Sequence, residues 1–405
     1  MSSSNLVSLI YEKEAEYGKR VEPTAGTTVQ TVRMTSESLS GTPDTTESAE
    51  LRTDRMSSGQ VVTGLTVEGD INWELAADTF FDDFFQAAMM STWVPAETIN
   101  TTVDLVPDVD DDQKAVLTLG AEFVNLIPGT LVRFTPTDSS PVTVQITTVD
   151  TPSTVFTVAT SRGQAAVSET LDVILPSYVD IGTSIDGNSF LIGKSYKDVQ
   201  HLETTDDHSQ TYTGELVSGF NVDATYGEIM NGSYTMMGNG YKQEAPSFEQ
   251  LVERAGGTVT PAGTTNPINA SIDVGLVTNN DQASTYCIQS LSLTLDNGLS
   301  EQTCIGKAAP TGFTHGTAAV SISMTIYNSD TAYDIFQPAK LSQAPVSITY
   351  VAENLDGGYA FHAEAIQLSF PDPAATGQNE DTFIEAEGVG KVGENGESAL
   401  RIYKL

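Results

Sequence analysis

Positive charge is what this sequence has least of. Its 405 residues hold 18 Lys+Arg against 54 Asp+Glu, a formal net charge of −36. Direct binding of a nucleic acid needs a basic face that displaces counterions from phosphate, and the chain has few residues to build one. Two readings of the acidity stand: solubility, including in a salty medium, and a surface that must not adhere to a polyanion. Cysteine is nearly missing. Cys287 and Cys304 stand apart from any CxxC or Cys/His cluster, which argues against zinc. They flank a strand-loop segment and could meet, but two free thiols are expected in a chain without a secretion signal. Long apolar runs are absent, so no transmembrane helix is expected. The first twenty residues lack a basic stretch leading into an apolar one, so no signal peptide is expected.

Catalytic patterns are also wanting. The four histidines, His201, His208, His315 and His362, fit no zinc-ligand spacing. Gly193-Lys194-Ser195 ends like a phosphate-binding loop, but Gly187 lies one residue too far upstream and the surroundings read as a strand. Asp108, Asp110 and Asp112 open like a calcium loop, but Gln113 replaces the required glycine and Leu119 the closing glutamate. There is no GxSxG elbow. Nothing converges on an active site, and no enzyme activity, cofactor or metal is expected.

What is present is β patterning. Thr, Ser, Val and Gly dominate and period-2 alternation recurs, the mark of antiparallel sheet. Over residues 63–75, Leu65, Val67, Ile71, Trp73 and Leu75 face one way, and Thr66, Glu68, Asp70, Asn72 and Glu74 the other. One face packs on a core while the opposite face is wet and acidic. A helix is expected at 79–91. Asp78 is its N-cap, and Phe81, Phe84, Phe85 and Ala88 form its apolar stripe.

The strand-helix unit occurs twice, at 59–90 and at 316–339. The helix starts align as Asp78-Thr79-Phe80-Phe81-Asp82-Asp83-Phe84 against Asp330-Thr331-Ala332-Tyr333-Asp334-Ile335-Phe336. Three strands follow each helix, at about 189–196, 210–222 and 228–238 in the first half and 346–352, 358–370 and 381–389 in the second. Opening strands are placed at 29–35 and 286–295. This gives a mainly β protein of two tandem β-sandwich units, each with a flanking α-helix. The first unit covers 1–95 and 178–245, a linker 246–282, and the second unit 283–405. Short strands separated by turn signals at 96–177 form an inserted small β-barrel or sandwich. A polar stretch at 36–59 reads as an extended hairpin loop. Its Glu37, Glu47, Glu50, Arg52 and Arg55 suit ion pairs with another subunit. Duplication supplies two equivalent surfaces for symmetric assembly.

The string MTSESLSGTPDTTESAELRTDRMSSGQVVTGLTVEGDINWEL, then SFLIGKSYKDVQHLETTDDHSQTYTGELVSGFNV with NGSYTMMGNG, and finally HAEAIQLSFPDPAATGQNEDTFIEAEGVG resemble the major tail tube proteins of long-tailed, siphovirus-like bacteriophages, of a duplicated-unit type. The resemblance covers about 1–95 and 180–405. It implies a structural virion protein whose sandwich units join long strands into a barrel around a lumen. Rings of subunits stack into the tube that conducts DNA during ejection, and a long loop reaches the neighbouring ring. Two units per chain imply a homotrimer with a pseudo-hexameric ring. The inserted domain would decorate the tube exterior. Glu68, Asp70, Asn72 and Glu74, with Ser321, Ser323 and Thr325, would line the lumen, and the loop of residues 37–58, with Glu37, Glu47, Glu50, Arg52 and Arg55, would make the inter-ring contact. Implied partners are further copies of the chain, the tape measure, terminator and distal tail proteins, and double-stranded DNA that passes without specific binding. No membrane partner is implied, and the setting is the phage tail, assembled in the host cytoplasm. The alternative from the residues alone is a β-rich surface adhesin or carbohydrate-binding module, which calls for an aromatic-lined groove. A third reading is a β-rich hydrolase using paired carboxylates.

Overall fold

The computed structural model describes the chain except residues 1–3, 52, 55, 110–112, 121–125, 127, 138–140, 151–153, 161–163, 201–204, 280–281, 284–285, 375–376, 379 and 394–395. Arg52, Arg55, His201 and the aspartates at 110–112 lie outside the described residues. The fold is mainly β, as the alternation requires, with three α-helices among the described residues.

The principal strands of the first half are β1 (Val7–Lys13), β2 (Ser40–Glu47), β3 (Gln60–Glu74), β4 (Ser189–Gln200), β5 (Asp207–Thr225) and β6 (Asn231–Gly238). They pair antiparallel in the order β1-β4-β5-β6-β3-β2. Those of the second half are β7 (Val274–Asn279), β8 (Ile288–Asp296), β9 (Ala319–Tyr327), β10 (Val346–Asn354), β11 (Gly357–Ser369), β12 (Phe383–Gly390) and β13 (Arg401–Lys404). Their order is β7-β10-β11-β12-β9-β8. β5 also pairs with β8 over Gly219 to Thr225, so the two halves share one continuous sheet.

β5 is 19 residues long and serves two layers. Its first part pairs with β4 and the Gly240–Glu244 strand; its later part pairs with β6 and β8. β11 does the same, pairing early with β10 and β13 and late with β12. The core is the apolar space between the layers. It contains both halves, from Trp73 and Tyr234 to Ile322, Met324 and Phe361.

Helix α1 (Thr79–Ala88) fills the middle of that core. The Asp78 side chain accepts from the Phe80 N–H, which starts the helix where the sequence places it. Phe80, Phe81, Phe84 and Phe85 are all fully buried, so the helix is apolar on more sides than its stripe suggests. Phe84 stacks on Phe190 at 4.4 Å, while Phe85 meets Tyr359 at 5.2 Å and Phe361 at 5.6 Å in the second half. Its acids tie it down: Asp83 pairs with Lys13 at 2.6 Å, and Asp82 pairs with Lys404 at 2.5 Å. Helix α2 (Phe248–Arg254) carries a capping box at Ser247 and Gln250. It lies in the stretch read as a linker, which also holds a Thr258–Thr260 strand parallel to Thr28–Thr31. Helix α3 (Asp330–Ser342) is capped by Ser329.

Two strand expectations need correction. The stretch 36–59 is not one open loop. Ser36–Glu37 and Ser40–Glu47 both pair with β3, which leaves Ser38, Leu39 and the described residues between Glu47 and Gln60 outside strand. Thr42, Thr45 and Thr46 are good strand residues even where almost nothing is buried. The strand beside β3 is therefore this one; the opening strand expected at 29–35 forms over Thr28–Thr31 and pairs with β1 at Gln30 and Thr31.

Between Glu97 and Leu175 six strands close into a separate barrel with its own core, including Leu105, Leu117, Phe134, Phe156 and Val173. The Glu97–Pro107 strand, eleven residues that sequence reading missed, is its longest. Val94 and Tyr178 exchange backbone hydrogen bonds of 2.8 and 3.2 Å, so the chain leaves and re-enters at one point. The barrel rests on the second half: Leu131 and Ala159 pack with Val351, Ala360 and Tyr403, and Gln145 donates to Thr349 at 3.0 Å.

Candidate functional site

The distinctive surface is one face of the layer β2-β3-β6-β5-β8-β9-β12-β11. Register fixes which side chains share it, because opposed residues in antiparallel strands point the same way. One unbroken row runs Glu74, Asn231, Asp223, Ser292, Ser323, Glu387, Ser369 across seven strands. The next row that way holds Thr225, Ser290, Thr325 and Glu385, and two rows back lie Asp70, Thr235 and Asp296. The reverse face of the same strands carries Ile71, Trp73, Tyr234, Phe220, Val222, Leu293, Ile322, Met324 and Ile384, all buried.

The charged residues on this face, among them Asp44, Glu68, Asp70, Glu74, Asp223, Asp296, Glu385 and Glu387, are all acidic. The strands that build it contain no Lys or Arg at all. Neutral donors hold the acids instead. Thr235 donates to Asp70 at 2.8 Å, and Asn221 donates to Asp223 at 2.7 Å. Acids in the long row are never on adjacent strands. Glu74 and Asp223 are two strands apart, roughly 10 Å, which is about one Debye length at 0.1 M salt. Their mutual repulsion is therefore modest while their sum remains a negative field. The Ser300–Gln302 and Gly312–Thr314 hairpin adds another acid. Burial pushes the Glu301 carboxyl up, with help from the charges of Asp44 and Glu68.

Of the residues singled out in the sequence, Glu68, Asp70, Asn72, Glu74, Ser321, Ser323 and Thr325 all lie on this face, opposite a buried Trp73 and Leu75. Asp223, Asp296, Glu385 and Glu387 were missed. Each sits in a strand with the same alternation, but only register shows that the faces are continuous. Glu37 turns inward to Lys194 at 2.7 Å. Glu47 and Glu50 accept from Ser57 and Ser58 at the exposed hairpin tip.

The other motifs are absorbed by structure. Gly193-Lys194-Ser195 lies within β4, and a Cβ on Gly193 would sit 3.1 Å from Phe248. Cys287 and Cys304 are exposed free thiols. Trp73 is buried, and Trp93 packs on the core with its indole N–H donating to the Asp82 carbonyl at 3.0 Å. Neither forms the wall of an aromatic groove. No group of three or more His, Cys, Asp or Glu suited to a metal occurs among the described residues, and no described helix is long and apolar enough to cross a membrane.

No curated protein matches the chain. A model of the phage tail tube protein family matches residues 4–390, a span that takes in both halves and the barrel between them. With that span covered, the chain belongs to the phage tail tube protein family.

Proposed function

We propose that this chain is the major subunit of a phage tail tube and that its acidic sheet face lines the channel. The observation that supports this most is the eight-strand layer that is apolar on one side and carries acids without a basic residue on the other. A duplex carries one negative charge per about 1.7 Å, so a negative wall repels it. DNA then slides instead of sticking. The barrel between Glu97 and Leu175 sits on the other layer, against β10, β11 and β13, and so faces the exterior.

The pairing orders β1-β4-β5-β6-β3-β2 and β7-β10-β11-β12-β9-β8 are the same order twice, with α1 and α3 at the same step. We read this as two tube units in one chain: residues 1–95 with 178–245, and residues 283–405, with 246–282 between them. Three chains then give six units per ring, and rings stack through the first-unit hairpin. Glu47, Glu50, Arg52 and Arg55 at its tip are the proposed inter-ring charges. Other tail proteins would meet the two ends of the stack. The role is structural, in the virion tail, with no catalytic step.

Negative-stain microscopy of the purified chain tests the reading. Rings or tubes with a central hole are expected. A protein that remains monomeric at every salt and concentration tried would overturn it.

A further inference from the structure

We propose that the chain encloses, where its two halves join, a binding site for a small neutral molecule made of one apolar ring and a hydrogen-bond acceptor, with the Tyr350 hydroxyl as the donor. The site belongs to the single chain and needs no assembly.

It is a cavity of about 100 Å³ between the two layers, at the end of β5. Ala224 of β5 and Ile288 and Leu291 of β8 line it from one layer. Val274 of β7 and Tyr350 of β10 line it from the other, and Ala270, just ahead of β7, adds to the wall. Two irregularities account for the parting of the layers there. The pairing of β8 with β9 slips between Ile288 and Ser290, and that of β7 with β10 slips between Val274 and Leu276. A bulge adds twist and bends a strand out of its layer, and bulges recur beside functional sites. Here one bulge in each layer falls at the same cavity. Ala224, Ala270, Val274 and Ile288 are consequently only half-buried, whereas Leu293, Ile322 and Met324 further along the same core are buried.

The wall selects its occupant. It is mostly apolar, and its deepest polar group is the Tyr350 hydroxyl, which is buried and has no hydrogen-bond partner among the described residues. The Tyr350 ring stacks on Phe361 at 4.9 Å with the planes 21° apart, which fixes the direction of the hydroxyl. Burial first, and then the charge of Asp223, push this hydroxyl well above its ordinary pKa, so it stays protonated and able to donate. The same charge disfavours an anionic occupant. A buried donor without an acceptor is costly, and a molecule that brings the acceptor into the cavity removes that cost. The volume sets the size, since an apolar cavity of about 150 Å³ takes benzene. A ketone or ether on a single ring meets all of these conditions.

The test uses acetophenone, a one-ring ketone, and ethylbenzene, which has nearly its shape without the oxygen. Ligand-observed NMR titrations of the full chain give the affinity for each, and the wild type should bind both. Tyr350→Phe should weaken acetophenone about fivefold, the worth of one hydrogen bond, and leave ethylbenzene unchanged. Ala224→Leu should fill the cavity and abolish binding of both probes, with Ala270→Leu taking its place if that variant does not fold. Wild-type chain that binds neither probe has a cavity fit only for water, which overturns the site. Binding that survives the filling variants lies elsewhere on the chain and overturns it too. An acetophenone affinity unchanged in Tyr350→Phe overturns the donor, and so the ligand class.

Discussion

Arg133 of the small barrel meets Glu353 of β10 at 2.9 Å across the seam between barrel and sheet. Thr143 donates to the same carboxylate at 3.1 Å. Burial pushes the Glu353 carboxyl up, and Arg133 and Thr143 work against that change. Arg133→Ala should therefore loosen the barrel on the second half. A loss of about 1–3 kcal/mol is expected, from a half-buried carboxylate left short of a partner. Urea unfolding beside faster hydrogen exchange at Leu131 and Val351 would check it; unchanged exchange there would not fit.

The barrel's two connections run side by side at Val94 and Tyr178. A chain joining Pro95 to Tyr178 through a short Gly/Ser linker should fold and still form rings. Its bared patch at Val351, Ala360 and Tyr403 should make it precipitate at lower concentration than the full chain. Well-folded monomers that never assemble would show that the barrel builds the wall.

Phe85 touches Trp73, Phe220, Tyr234, Tyr359 and Phe361, binding α1 to strands of both halves. Phe85→Ala should cost about 3–5 kcal/mol. A single unfolding transition displaced as a whole is expected, since the halves share this core. Two separate transitions in calorimetry would mean the halves unfold independently.

Glu215 is fully buried and neither carboxylate oxygen has a hydrogen-bond partner. Burial, with the nearby charge of Glu14, raises its pKa well above the ordinary carboxylate value. The folded chain therefore keeps a proton that the unfolded chain releases. Stability contributed at this position is intact below the ordinary carboxylate pKa and declines as pH rises towards the folded value. Glu215→Gln removes that proton linkage. The stability of the variant relative to the wild type should therefore rise as the pH is raised from about 4 to about 8. The slope is about 1.4 kcal/mol per pH unit wherever Glu215 is protonated in the folded chain and ionised in the unfolded one. A difference independent of pH would exclude a titrating Glu215.

Much of this was legible in the sequence where periodicity carries the signal. Trp73 and Ile71 alternate with Glu74, Asn72 and Asp70, and the structure buries the first set and leaves the second half-buried on the opposite face. Asp78 before a phenylalanine cluster announced α1. Ser40–Glu47 reads as loop because its strand is almost wholly exposed, leaving no apolar alternation to detect. Asp223 and Glu387 could not be placed on one face with Glu74, because that depends on pairings between strands far apart in the chain. The Glu14–Glu215 neighbourhood likewise exists only through a β-bulge at Gly214, whose N–H donates to Glu14 at 2.8 Å.

The most direct test of the central claim is a side-chain-resolution electron-microscopy reconstruction of the assembled tube. Three chains per ring are predicted, with Glu68, Asp70, Glu74, Asp223, Glu385 and Glu387 pointing into the channel and the barrel between Glu97 and Leu175 outside. Six chains per ring, or a channel wall made by any other surface of the chain, would contradict it.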